Sequence, residues 1–193
     1  MKDGKVLRAV VLGEELELWM REGLFSPRQI DRGTQAMLST VALEPGMRVM
    51  DLGCGCGVVG IAAARICGAG NVWMSDVDPL AVETARENAA RNGVAGVHVL
   101  CSDGFDAVEE TGFDLILSNP PYQSDFAVAR RFIEKGFNRL KIGGQLVMVT
   151  KRLDWYRNKL KSIFGGVRVQ EVDGYYVFCA QRRSAQYARA ARR

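Results

Sequence analysis

Apolar positions along the chain fall into short runs parted by glycine, proline and acid, in a repeating order of strand, turn and helix. The order is plainest over Val49–Ile61, which reads VMDLGCGCGVVGI. Apolar residues lead into Asp51; Gly53, Gly55, Gly57 and Gly60 follow, then the apolar-rich run Ile61–Ile66. The pattern predicts a buried strand at Met47–Met50, a tight glycine turn, and a helix over Val58–Cys67 ended by Gly68 and Gly70. The unit then repeats. Asn71–Ser75 predicts a second strand, and Leu80, Val82, Ala85 and Ala89 give the next helix an apolar face, with Pro79 in its first turn. Val97–Leu100 and Phe113–Leu117 predict the third and fourth strands. A helix over Phe126–Leu140 leaves through Ile142-Gly143-Gly144 into a fifth strand, Gln145–Val149. A helix over Asp154–Phe164 follows, then a hairpin of Val167–Val172 and Tyr175–Ala180 joined by Asp173-Gly174. Strands alternating with helices, closed by an antiparallel pair, predict an α/β fold with a mostly parallel sheet and one reversed strand.

Residues 1–45 precede this sheet. Val6–Leu12 reads as a short strand, the stretch from Leu16 to Phe25 as irregular, and Gln29–Leu43 as a helix ended by Pro45-Gly46. No second core is visible there. The segment is expected to be an extension that covers the glycine loop or packs at the sheet edge. Residues 46–182 form the expected domain and 183–193 a basic tail.

Composition narrows the picture modestly. A chain of 193 residues can bury one sizeable core. The formal net charge is only +4, and the excess gathers in Lys151–Lys161 and Arg182–Arg193. Such segments meet a polyanion or stand as solvated surface. Five cysteines, an odd count without framework spacing, suggest reduced thiols and a cytoplasmic location. Cys54 and Cys56 are one residue apart in a glycine turn, and the single histidine, His98, lies on a predicted strand. They read as small residues beside a ligand loop, and no metal is expected. There is no signal-peptide pattern and no apolar run long enough to cross a membrane.

The chemistry gathers in the loops after the strands, which right-handed crossovers place on one edge of the sheet. Gly53-x-Gly55 has the first two glycines of a dinucleotide-type turn, but Val58 takes the third place and no Lys-Ser or Lys-Thr follows, so the turn is not a phosphate cradle. Asp51 beside a helix N-terminus suits a ligand with positive charge, such as an amino acid carrying a sulfonium or ammonium. Asp76, 21 residues beyond Gly55, stands where a ribose is hydrogen-bonded, and Asp78 reads as a helix cap. Asp103 can accept from an adenine amino group. Asn119-Pro120-Pro121-Tyr122 makes a rigid ledge offering an uncharged amide acceptor, carbonyls and an aromatic ring. Such a ledge can hold a planar amino group beneath a stacking ring. No His, Cys or Lys has an evident role as a base. That favours chemistry in which positioning dominates, such as transfer of an activated methyl group to an amine, over hydride transfer.

These motifs resemble those of the class I S-adenosylmethionine-dependent methyltransferases, over nearly the whole chain. Within the class the chain is similar to the small-domain enzymes related to ribosomal RNA guanine-N2 methyltransferases. The similarity rests on Gly23-Leu-Phe-Ser26, Asp31-x-Gly-Thr34, Asp76-x-Asp78 with Ala81-Val82, Asn88, Asn92 and Asn119-Pro-Pro-Tyr122. It implies a Rossmann-like, seven-stranded sheet with a reversed C-terminal strand. It also implies S-adenosyl-L-methionine held by Asp51, Gly53, Cys54, Gly55, Gly57, Asp76, Val77, Ser102, Asp103, Gly104 and Asn119. Asn119, Pro120, Pro121 and Tyr122 would carry the catalysis. Phe25, Asp31, Thr34, Tyr122, Lys151, Arg152, Trp155 and Arg157 would meet substrate. The implied reaction is methylation of an exocyclic base amine, guanine N2 of ribosomal or other RNA. Adenine N6 in RNA or DNA, and the amide of protein glutamine, are the alternatives. RNA is the implied partner, and monomer or weak homodimer stays open. Ribosomal members carry a further N-terminal domain that helps hold RNA. Here that work is expected of the basic segment Lys151–Lys161 or of a partner, unless the substrate is not ribosomal RNA.

Overall fold

A computed structural model of the chain describes residues 4–24, 29–120 and 126–188. Its centre is β3 (Val49–Leu52), buried at all four positions because helices cover both faces of the sheet. Parallel to it run β4 (Val72–Asp76), β5 (His98–Cys101), β6 (Phe113–Ser118) and β7 (Leu140–Thr150). The reversed strand, β9 (Tyr175–Gln181), lies between β7 and β8 (Arg168–Val172). The order β5-β4-β3-β6-β7-β9-β8 makes the expected mostly parallel seven-stranded sheet. It reverses between β3 and β6, so a crevice opens beyond their carboxyl ends.

Alternation along the strands divides the core. Val49, Val72 and Met74 face α2 (Val58–Cys67) and α3 (Pro79–Arg91). Met50, Phe113 and Phe178 face α4 (Phe126–Arg139) and α5 (Leu153–Phe164). Asp78 caps α3 by accepting from the Leu80 N–H at 2.9 Å.

The N-terminal segment differs from the expectation. The stretch read as irregular holds a strand, β2 (Glu14–Arg21), paired antiparallel with β1 (Gly4–Val11). Leu16, Leu18 and Met20 are buried and Glu15, Glu17 and Trp19 are not, a period of two. The turn between the strands is Leu12-Gly13, both residues at positive φ, 53° and 83°. A leucine where such turns favour asparagine hid the hairpin in the sequence. The expected helix over Gln29–Leu43 is also shorter. It runs as α1 (Arg32–Leu38) and stops where the Ser39 and Thr40 hydroxyls donate to the Ala36 and Met37 carbonyls, both at 2.8 Å. It packs on β7 and β9.

Two further boundaries shift. Ile142-Gly143-Gly144, read as a helix exit, belongs to β7, where a register irregularity against β6 accommodates it. The C-terminal segment folds back as far as it is described. The Arg182 guanidinium lies 4.9 Å from the centre of the Phe137 ring, Tyr187 meets the same ring edge-on, and the Ala188 N–H donates to the Ile163 carbonyl at 2.9 Å. Residues 189–193 of the expected tail lie outside the described residues.

Candidate active site

Four strand ends, those of β3, β4, β5 and β6, surround a cavity of about 340 Å³, and Gln29, Ile30, Asp31, Thr34 and Met37 also line it. That volume falls within the range of small-molecule sites.

The glycine loop is held by β4. The Gly53 and Cys54 N–H groups both donate to the Ser75 carbonyl, at 2.8 and 2.9 Å. The Gly55 N–H donates to Asp76 Oδ2 at 2.8 Å, and the Asp78 N–H to Oδ1 at 3.0 Å. Asp76 is thereby fixed, with a second lone pair on each oxygen still available to a hydroxyl. Gly53 and Gly55 have φ of 77° and 54°, and a Cβ on either would meet open space. Bare backbone therefore borders the cavity where a ligand could lie against it. Gly57, expected among the ligand contacts, is instead the N-cap of α2. Its N–H is spent on the Cys54 carbonyl, and it does not line the cavity.

Asp51 is 3% exposed and accepts the Gly60 N–H at 2.9 Å. Burial pushes its carboxyl up to about 7; the Gly60 hydrogen bond opposes this and the charge of Asp76 adds to it. Gly60 is the residue that lets α2 approach so closely, since a Cβ there would fall 2.3 Å from Met74 Sδ. Cys54 and Cys56 are buried, and burial raises both thiols, Cys56 to about 11. They pack beside the loop as neutral small residues. Among the described residues no cluster could hold a metal ion. His98 stacks on Trp73 with ring centres 4.6 Å apart and meets the Gly70 carbonyl at 3.2 Å, a structural role.

On the far side, Ser102 is buried and accepts the Ala107 N–H at 2.9 Å. Asp103 forms a two-pronged pair with Arg131, both contacts at 2.8 Å, at the cavity rim. Val77 is exposed and borders the cavity, as does Phe132, which packs over Gly104. Sequence reasoning missed Arg131, Met20 and Phe132. Phe132 read only as helix core, and the period of two that buries Met20 was the available clue.

Asn119 follows β6. Its Nδ2 donates to Asp31 Oδ2 at 2.7 Å and to Thr34 Oγ1 at 3.1 Å. Asp31 also caps α1 by accepting the Thr34 N–H at 2.9 Å. An ionised carboxylate only accepts, so the amide must present its NH₂ to Asp31 and its oxygen away from it. That oxygen, Oδ1, is buried with no partner among the described residues, and Asn119 borders the cavity beside Pro120. Orphaned buried acceptors are rare and point to a missing donor. Phe25, Pro121 and Tyr122 lie outside the described residues.

The basic segment, expected to meet substrate, has contacts of its own away from the cavity. Trp155 stacks on Phe126 with ring centres 4.3 Å apart, and Arg152 covers the same Phe126 ring at 5.0 Å. Trp155 is thus spent on packing between α4 and α5. Arg157 pairs with Asp154 at 2.7 Å, and Lys151 lies 4.9 Å over the Tyr175 ring. None of the four lines the cavity. Among the described residues no helix is long and apolar enough to cross a membrane.

Comparison with known proteins agrees with this geometry. Residues 15–179 match the family model described as the methyltransferase small domain. A ribosomal RNA small subunit methyltransferase C of Hahella chejuensis is 34% identical over 176 residues, covering 87% of this chain and 51% of the relative. One of Pseudomonas aeruginosa is 32% identical over 173 residues, covering 87% and 52%. A T. thermophilus 16S rRNA N2 methyltransferase, solved with AdoMet and guanosine, superposes with a TM-score of 0.86 at 27% identity, covering 93% of this chain and 50% of that one. The chain spans about half the length of the curated relatives it matches. A family model matched over most of the sheet, with its strand ends around one cavity, places the chain in the methyltransferase small domain family.

Proposed function

We propose that the protein is an S-adenosylmethionine-dependent N-methyltransferase acting on an exocyclic base amine, guanine N2 of ribosomal RNA. The observation that carries the reading is Asn119 Oδ1, a buried acceptor without a partner among the described residues, at a cavity whose lining joins glycine backbone and acids to apolar side chains. The similarity to ribosomal RNA methyltransferases supports guanine N2 and RNA.

The lining fits the cofactor. Gly53 and Gly55 leave space over bare backbone, Asp51 offers a carboxylate to a cationic amino-acid end, and Asp76 keeps lone pairs for ribose hydroxyls. Val77 and Phe132 would flank a flat base whose amino group reaches Asp103. S-adenosylmethionine would supply an activated methyl group on a sulfonium. Asn119 Oδ1 accepts one hydrogen of the substrate amine, and the Pro120 carbonyl is the candidate for the other. Held so, the nitrogen lone pair is aimed without a strong base, and its surplus proton leaves to water after transfer. Tyr122 would stack on the base, and a paired base would be flipped out to arrive.

The test is transfer of label from radioactive S-adenosylmethionine to total RNA, DNA and protein in parallel, with Asn119→Ala as control. Label recovered as N2-methylguanine in RNA, lost in the control, is the expected result. Label in N6-methyladenine or in glutamine would move the substrate, and no label with no cofactor bound would overturn the reading.

A further inference from the structure

Two asparagines one helical turn apart, Asn88 on α3 and Asn92 at its C-cap, grip the outer edge of β2. Asn92 Oδ1 accepts the Glu17 N–H at 2.9 Å and its Nδ2 donates to the Glu17 carbonyl at 2.9 Å. Asn88 does the same to Trp19, with contacts of 2.6 and 3.1 Å. Each side-chain amide stands in for the backbone of a neighbouring strand, so β2 has its own partner strand on one side and a helix on the other. The two residues differ in their second amide bond, which Asn92 donates to the Asn88 carbonyl at 2.7 Å. Asn88 also donates to the Cys56 carbonyl at 2.9 Å, inside the glycine loop. It is wholly buried, and all its amide hydrogens and its oxygen are engaged.

Of the two residues that Asn88 holds, one lines the cavity and the other adjoins a residue that does. Cys56 lines it from the loop, and Met20, next to Trp19, lines it from β2, with the two sulfurs 3.8 Å apart. Asn88 itself does not touch the cavity. We propose that Asn88 is a positioning residue that sets the glycine loop against β2, so that the cofactor site is shaped partly from the N-terminal hairpin. Asn92 supplies the same grip on the strand but does not reach the loop. The bonds that tie the loop to β4 run from Gly53, Cys54 and Gly55, and Gly57 closes on the Cys54 carbonyl within the loop, whereas Asn88 ties the Cys56 carbonyl to α3. Removing the donor leaves the buried Cys56 carbonyl unpaired, and that penalty falls on the loop.

The pair supplies an internal control. Asn88→Asp keeps the size and the acceptor for Trp19 and loses the donor to the Trp19 and Cys56 carbonyls, whereas Asn92→Asp loses the donor to the Glu17 and Asn88 carbonyls and leaves the loop's bond in place. Amide hydrogen exchange on ligand-free protein is expected to speed up about tenfold at residues 53–57 in N88D and to change little there in N92D. The dissociation constant for S-adenosylmethionine is expected to rise about tenfold in N88D and stay within about twofold in N92D. Equal loop changes in both variants, or none in N88D, would overturn the proposal. The affinity effect rests on the cofactor reading above, and the exchange effect does not. If the unaltered protein binds no S-adenosylmethionine, that reading falls while exchange still decides the role of Asn88. Asn88→Ser carries the same comparison should N88D not fold.

Discussion

Asp31 and Asn119 stand 88 residues apart in the chain and 2.7 Å apart in the fold, carboxylate oxygen to amide nitrogen. One carboxylate thus caps α1 and fixes which end of the Asn119 amide faces the cavity. Asparagine is an equally good cap but can present either a donor or an acceptor to its neighbour. In Asp31→Asn, kcat for the proposed base methylation is therefore expected to fall about tenfold or more with little loss of stability. Asp31→Ala should in addition lose about 1 kcal/mol from the cap. Steady-state kinetics beside thermal unfolding separates the two, and wild-type kcat in D31N would refute the orienting role.

Asp51 predicts a pH dependence whose sign can be worked out. Its folded carboxyl sits near 7, against an ordinary value of 3.8. The folded state therefore holds a proton that the unfolded chain has released between about pH 4 and 7, and stability falls as pH rises through that window and levels above it. The contribution is on the order of 4 kcal/mol. Asp51→Asn keeps an acceptor for Gly60 and should flatten the curve. Denaturant unfolding from pH 5 to 8 checks this, and parallel curves for both proteins would count against it. A cationic ligand would favour the ionised form, so cofactor affinity should strengthen as pH rises toward 8.

Two glycines, Gly53 in the loop and Gly60 in the first turn of α2, should fail in different ways. At Gly60 a Cβ would strike Met74 Sδ at 2.3 Å in a fully buried site, so Gly60→Ala should cost about 1–3 kcal/mol of stability. At Gly53 a Cβ meets nothing, but φ is 77°. Gly53→Ala should cost about 1–2 kcal/mol in backbone strain and weaken cofactor binding beyond that, because the methyl group occupies space at the cavity wall. Calorimetry of unfolding and of ligand binding on both variants distinguishes them.

The stacking of Trp155 on Phe126 predicts a structural phenotype where the sequence suggested RNA contact. Trp155→Ala should destabilise by about 2–3 kcal/mol, less than a fully buried tryptophan, and leave the salt dependence of RNA binding unchanged. If Lys151 meets phosphate, Lys151→Ala should make the plot of log affinity against log salt shallower by about 0.7–0.9. An unaltered slope removes Lys151 from the interface.

The strand order, the reversed last strand and the acid-ended loops were legible from the chain because each is written locally. An apolar run, a glycine turn and an amphipathic helix mark each unit, and the right-handed crossover then puts every loop on one edge. The β1–β2 hairpin escaped because its turn is Leu12-Gly13, although Leu16, Leu18 and Met20 carried its alternation.

Asp51, Asp76, Asp103 and Asn119 could be named from sequence because the residue type and its place after a strand suffice for that. Their partners could not. The sequence by itself determined the elements, their order and which loops converge. Only the tertiary structure decided that Asn119 answers to Asp31, Asp103 to Arg131 and Cys56 to Asn88, and that Trp155 turns inward onto Phe126. The physical reason is distance. A turn or a helix is settled by neighbours a few residues away, whereas a hydrogen bond or ring contact between elements depends on where whole helices come to rest on the sheet. No linear spacing records that.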